Sequence, residues 1–84
     1  MPTIASFYGI IIMMYLKDKE HEPPHIHAFY GNFSATFTIK DGKHWQGDFP
    51  RNGKKLVEKF IKKYSKELEE MWNTGVYQKL PSFE

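Results

Sequence analysis

Residues 25–40 read HIHAFYGNFSATFTIK, and this stretch decides the fold. Gly31-Asn32 divides two runs that suit extended backbone. A two-residue connection with glycine first is the signal of a type II′ hairpin turn. It predicts strands over His25–Tyr30 and Phe33–Lys40, with Tyr30 paired to Phe33. In the second run Phe33, Ala35, Phe37 and Ile39 alternate with Ser34, Thr36 and Thr38. Alternation at period two describes a sheet with one packed face and one more polar face.

Working toward the N-terminus, Pro23-Pro24 precedes the hairpin and Lys17 to Pro24 is polar, so this segment reads as a loop. Gly9 to Leu16 is apolar throughout and rich in isoleucine, which predicts a strand buried on both faces. The apolar run Phe7–Leu16 has ten residues. A membrane-spanning helix needs ~20. No lysine or arginine precedes it, so it lacks the charged start of a secretory signal. The expectation is a soluble cytoplasmic protein without membrane association.

Working toward the C-terminus, Asp41-Gly42 marks the next turn. A strict two-residue turn pairs Lys40 with Lys43 and puts Trp45 and Phe49 on the threonine face. A three-residue loop ending in a bulge pairs Lys40 with His44 and puts both rings with Phe37 and Ile39. The hydrophobic pattern favours the second, because a one-residue slip moves every side chain to the other face. His44 to Phe49 is then the fourth strand. Pro50 to Gly53 breaks the sheet, with Asn52 as a helix cap. Leu56, Val57, Phe60, Ile61, Tyr64, Leu68, Met71 and Trp72 follow in steps of one, three and four, which makes one apolar helical stripe. Gly75 stops the helix. In the extended tail, Val76, Tyr77, Leu80 and Phe83 are candidates to pack back on the body. The expected class is α+β: an antiparallel four-stranded sheet followed by one long C-terminal helix on its apolar face.

The chain has 84 residues, which suits one domain spanning residues 1–84. A domain of this size buries only roughly 60% of its unfolded surface, so a partner or a homodimer would add useful burial. There is no cysteine, which excludes disulfides and thiolate zinc sites. The net charge of +2 is too mild to mark the whole chain as a nucleic-acid binder.

Three of the four histidines lie in EHEPPHIHAFYG, residues 20–31. His25 and His27 alternate on one strand, so both point to one face, roughly 7 Å apart along the backbone. Imidazoles placed so can lean toward a common metal. Hairpin pairing sets His27 beside Thr36 and His25 beside Thr38. Gln46 and Asp48 then lie two strands away, about 9.6 Å, too far to share an ion with them. The candidate metal set is therefore Glu20, His21, His25 and His27; the expectation is no cofactor, with a divalent metal as the alternative. Histidine titrates near pH ~6.5, so His21, His25 and His27, with Tyr30 as a proton donor, are also the catalytic candidates. The third reading is a polar, half-buried patch that hydrogen-bonds threonines and loop backbone or binds a partner.

The helix carries a second candidate surface. Arg51, Lys54, Lys55, Lys59, Lys62, Lys63 and Lys66 are opposed in that stretch only by Glu58. Glu67, Glu69 and Glu70 follow. Positive charge near the helix start opposes the macrodipole, which costs about 0.3–1 kcal/mol per badly placed end charge. Lys55, Lys59, Lys62 and Lys63 are therefore candidates to contact nucleic acid or an acidic partner. The alternative is a solvated face in which Glu58–Lys62, Lys63–Glu67 and Lys66–Glu70 offset one another.

The opening MPTI, the run GIIIMMY, the motif PPHIHAFYG, the segment Trp45–Pro50 and a closing helix ending in Trp72 resemble one bacterial and archaeal family of small proteins. That family is catalogued as a domain of unknown function with the signature Pro-Pro-His-x-His-Ala-x-Tyr-Gly. The resemblance covers nearly the whole chain. It marks Glu20, His21, Pro23, Pro24, His25, His27, Tyr30 and Gly31 as signature residues and carries no reaction with it. Members are often encoded beside another small domain, which implies a protein partner and a toxin–antitoxin-like pair. Three functions follow as expectations: a binding or regulatory module of such a pair, a small metal- or histidine-dependent hydrolase or nuclease, and nucleic-acid binding through the basic helix.

Overall fold

The structure is a computed structural model that describes residues 3–15 and 23–81. Five antiparallel strands form one sheet in sequence order: β1 (Thr3–Phe7), β2 (Ile10–Met13), β3 (His25–Tyr30), β4 (Phe33–Thr38) and β5 (His44–Asp48). One helix, α1 (Arg51–Thr74), follows. The α+β class and the C-terminal helix agree with the sequence reading; the strand count does not.

The additional strand is β1, joined to β2 by the two-residue turn Tyr8-Gly9, with φ +50 and +79. Tyrosine seldom adopts positive φ, and it sits inside a continuous apolar run, so the break is not evident in the sequence. The run is also not buried on both faces. Ile10, Ile12 and Met14 are buried, whereas Ile11 is 38% exposed. β2 thus alternates like β4.

The β3–β4 hairpin has the expected register, from Tyr30–Phe33 to His25–Thr38. Gly31 takes φ +56 at the turn. The β4–β5 register differs from expectation. His44 pairs with Phe37, not Lys40, and Gln46 pairs with Thr36. The Thr38 N–H donates to the Lys43 carbonyl at 2.9 Å, so the connecting loop is longer than either proposed turn. β4 accordingly stops at Thr38 and β5 at Asp48. Trp45 is the extra residue of a bulge between the two paired stretches. The bulge restores parity only after Trp45. Phe49 therefore packs with Phe37 as expected, at a centroid distance of 5.8 Å, while Trp45 turns to His25 on the opposite face.

The core lies between the helix and one sheet face. Ile10, Ile12, Ile26, Ala28, Phe37 and Ile39 meet Val57, Phe60 and Ile61 there. Phe7 stacks on Phe60 at 5.1 Å. Each fully buried ring or aliphatic side chain of this kind stabilises by about 1.5–3 kcal/mol. The cap is Pro50, not Asn52: Pro50 is extended and its carbonyl accepts from Lys54 N–H at 2.9 Å. Proline's fixed φ and missing N–H suit the edge of a helix start. The helix kinks at Tyr64, where φ is −115° and ψ 22°, and Leu68, Met71 and Trp72 are buried beyond the kink. Gly75 closes it in the left-handed conformation, its N–H donating to Met71 O. In the tail, Leu80 is buried and its N–H donates to Ile4 O at 2.7 Å, while Val76 is exposed rather than packed. Phe83 lies outside the described residues.

Candidate functional site

The sheet face opposite the core carries the histidine pair. Strand alternation places His25, His27 and Phe29 there, beside Ile11 and Met13 of β2 and Ser34, Thr36 and Thr38 of β4. His27 has Tyr15 edge-on at 4.3 Å and Phe29 nearly parallel at 6.4 Å. The two imidazole centroids are 5.3 Å apart.

His25 is enclosed, at 5% exposure. Trp45 from the bulge stands 5.1 Å away and Trp72 from the helix end 5.2 Å away. Its Nδ1–H donates to the Pro23 carbonyl at 2.8 Å, which holds one tautomer and ties the proline-stiffened loop to β3. A group so enclosed is suited to organising the site. His27 is half-buried and borders a shallow depression of about 230 Å³ with Phe29, Ser34 and Gln46. Thr36 lies between His27 on β3 and Gln46 on β5. Its Oγ1 is buried with no hydrogen-bond partner among the described residues. Gln46, expected beside Thr38, reaches this row because of the β5 register.

The remaining candidates are distributed elsewhere. Tyr30 has the opposite parity from the histidines. It lies on the core side, where its ring meets Phe49 at 6.4 Å, and is not brought together with His25 and His27. Glu20 and His21 lie outside the described residues. Among the described residues, no three of histidine, aspartate and glutamate are grouped to hold a metal. Lys55, Lys59, Lys62 and Lys63 are all exposed on α1, and Lys63 Nζ lies 5.5 Å from the Tyr64 ring centroid. Among the described residues, no helix is long and apolar enough to cross a membrane.

Sequence reasoning missed Trp45 and Trp72 as parts of this site. The hydrophobic pattern places Trp45 on the other face, and the bulge that redirects it leaves one local trace, Gly47. That residue has φ +87 and abuts Ser34 and Ala35 of β4. Trp72 reaches His25 through a contact between residues distant in sequence, which periodicity does not reveal.

Comparison with curated proteins and with solved structures returns no match. A family model matches residues 9–73, from the β1–β2 turn almost to the end of the helix, and includes the whole Pro-Pro-His-Ile-His-Ala-Phe-Tyr-Gly stretch. The chain belongs to that family, described as a domain of unknown function (DUF4160).

Proposed function

We propose that the chain is a cytoplasmic binding and regulatory module of a bacterial two-protein, toxin–antitoxin-like system, and that a small protein partner docks on the open face of its sheet. One observation carries this reading: beyond the enclosed His25, the face opposite the helix exposes aromatic and aliphatic side chains among the described residues. Ile11 is 38% and Trp45 40% exposed, with Met13, His27 and Phe29 half-buried between them. Exposed Ser34, Gln46 and Asp48 border them. An apolar, aromatic centre with a polar rim is the usual composition of a protein interface. The test is co-expression with the product of the adjacent gene, followed by size-exclusion chromatography. One co-eluting complex is expected; two proteins eluting independently would sink the proposal.

A second reading, nucleic-acid binding through the helix, is favoured by a separate observation. Lys55, Lys59, Lys62 and Lys66 recur at three- and four-residue spacing and are all exposed. They therefore form one stripe along α1, opposite the buried Val57, Phe60 and Ile61. Binding through this stripe should fall steeply with salt and with Lys55→Glu and Lys59→Glu. Salt-independent binding, or none, would count against it.

A further inference from the structure

The two turns at one end of the sheet and the start of α1 enclose a second cleft, of about 360 Å³. Tyr8 and Tyr30 line it, over Ile10 and Leu56, with Asn52 at the helix side. Tyr8 is 52% and Tyr30 42% exposed. Tyr8 is also the one non-glycine residue with positive φ among those described. The cleft is distinct from the histidine face, since Tyr30 points the opposite way from His27.

Positive charge begins beside this cleft and runs along the first part of α1. Residues 51–66 hold seven basic side chains and one acidic one. The rest of the chain holds five basic and nine acidic. The net charge of +2 therefore conceals a cationic stretch over the first part of α1, followed on the same helix by the acidic Glu67, Glu69 and Glu70. Leu56, on the cleft wall, lies directly between Lys55 and Val57 and one turn from Lys59.

We propose that this cleft stacks the base of a nucleotide unit of single-stranded nucleic acid, with the phosphates following the lysine stripe. The proposal rests on the helix reading above and adds the ligand's form. Aromatic rings beside a cationic track are how proteins hold unpaired strands without reading sequence. In a duplex the bases are stacked inside and would not reach Tyr8 or Tyr30. A nucleotide supplies both complements, a planar ring for the tyrosines and an anion for the lysines. The same chemistry has two sources, a strand or a free nucleotide.

The experiment is fluorescence anisotropy of labelled oligothymidylate at low and high salt. Unlabelled oligothymidylate, its duplex with oligoadenylate, and thymidine monophosphate serve as competitors. The informative variant is Tyr8→Asn. Asparagine accepts positive φ readily, so this variant should fold with an unchanged or raised Tm while losing the ring. The expected result is salt-sensitive binding of the single strand, preferred over duplex and weakened about tenfold or more by Tyr8→Asn. Competition by the monophosphate as strong as by the strand would support the stacking site and assign it to a free nucleotide. Equal binding of duplex, with Tyr8→Asn matching wild type and Lys55→Glu weakening both, would overturn the cleft and leave the lysine reading standing. No binding of any probe at low salt would overturn both.

Discussion

Replacing Gly47 by alanine puts the β5 register to a quantitative test. Gly47 holds φ +87, where a side chain costs about 1–2 kcal/mol. A methyl group there would overlap the Ser34 carbonyl oxygen and lie 2.9 Å from Ala35 Cα. Both are backbone atoms of β4, so relief requires the strands to part. Forced overpacking of this kind adds about 1–3 kcal/mol. The expected loss is therefore about 2–5 kcal/mol. Gly31→Ala is the control. Its φ is +56, but nothing lies within 4 Å of the added carbon. It should lose only the conformational part, about 1–2 kcal/mol. Urea unfolding gives both values, and thermal melting repeats them at about 4–8 °C per kcal/mol for a domain of this size. Gly47→Ala should melt clearly below Gly31→Ala. Equal losses in the two variants would refute the close approach of β5 to β4 and with it the bulge at Trp45.

His25→Ala should cost about 2–4 kcal/mol by urea unfolding, because it empties a site enclosed by two tryptophans and breaks the bond to Pro23; a loss below about 0.5 kcal/mol, typical of surface sites, would contradict that enclosure. Thr36→Val should raise stability by about 1 kcal/mol in the same assay, since valine keeps the shape and removes a buried hydroxyl with no partner among the described residues; a loss would show that the hydroxyl is satisfied in solution. The Thr38 hydroxyl donates to Asp41 and, with Lys43 nearby, holds its carboxyl below the usual 3.8. Ionised Asp41 thus favours the folded state: its contribution is complete above the ordinary carboxylate range and is lost as pH falls below 3.8 through the lowered value. Asp41→Asn should flatten that part of the acid limb of a stability–pH curve, and an unchanged limb would contradict the pairing.

The central hairpin and the helix were legible because their signals are local. Alternation through Phe33, Ala35 and Phe37 and the Gly31-Asn32 turn set the β3–β4 pairing, and the stripe from Val57 to Trp72 with Gly75 set the helix and its end. The errors share a different cause. Tyr8 occupies a turn position that usually takes glycine or asparagine, so β1 merged into the apolar run. At β5 the Asp41-Gly42 signal fits two short turns, and the actual register comes from a third, longer loop with a bulge at Trp45. Pro50 displaced Asn52 as cap because extended backbone at Pro50 was already available. In the site, strand parity was enough to bring His25 and His27 together, but the grouping of Tyr30 with them as a proton donor goes against that same parity, which turns Tyr30 to the core side. The enclosure of His25 was not legible, since it depends on a bulge and on a helix end meeting in space.

The open sheet face as a protein-docking surface is tested most directly by calorimetric titration of the adjacent gene's product into paired variants. Ile11→Asp alters the open face, and Phe33→Asp alters an exposed aromatic on the core-facing side of the same sheet. Both residues are partly exposed, so both variants should fold. The expected result is tight binding by wild type and Phe33→Asp, with affinity reduced at least about tenfold in Ile11→Asp, as for a residue near the centre of an interface. Equal affinity for all three, or binding lost only in Phe33→Asp, would contradict the account.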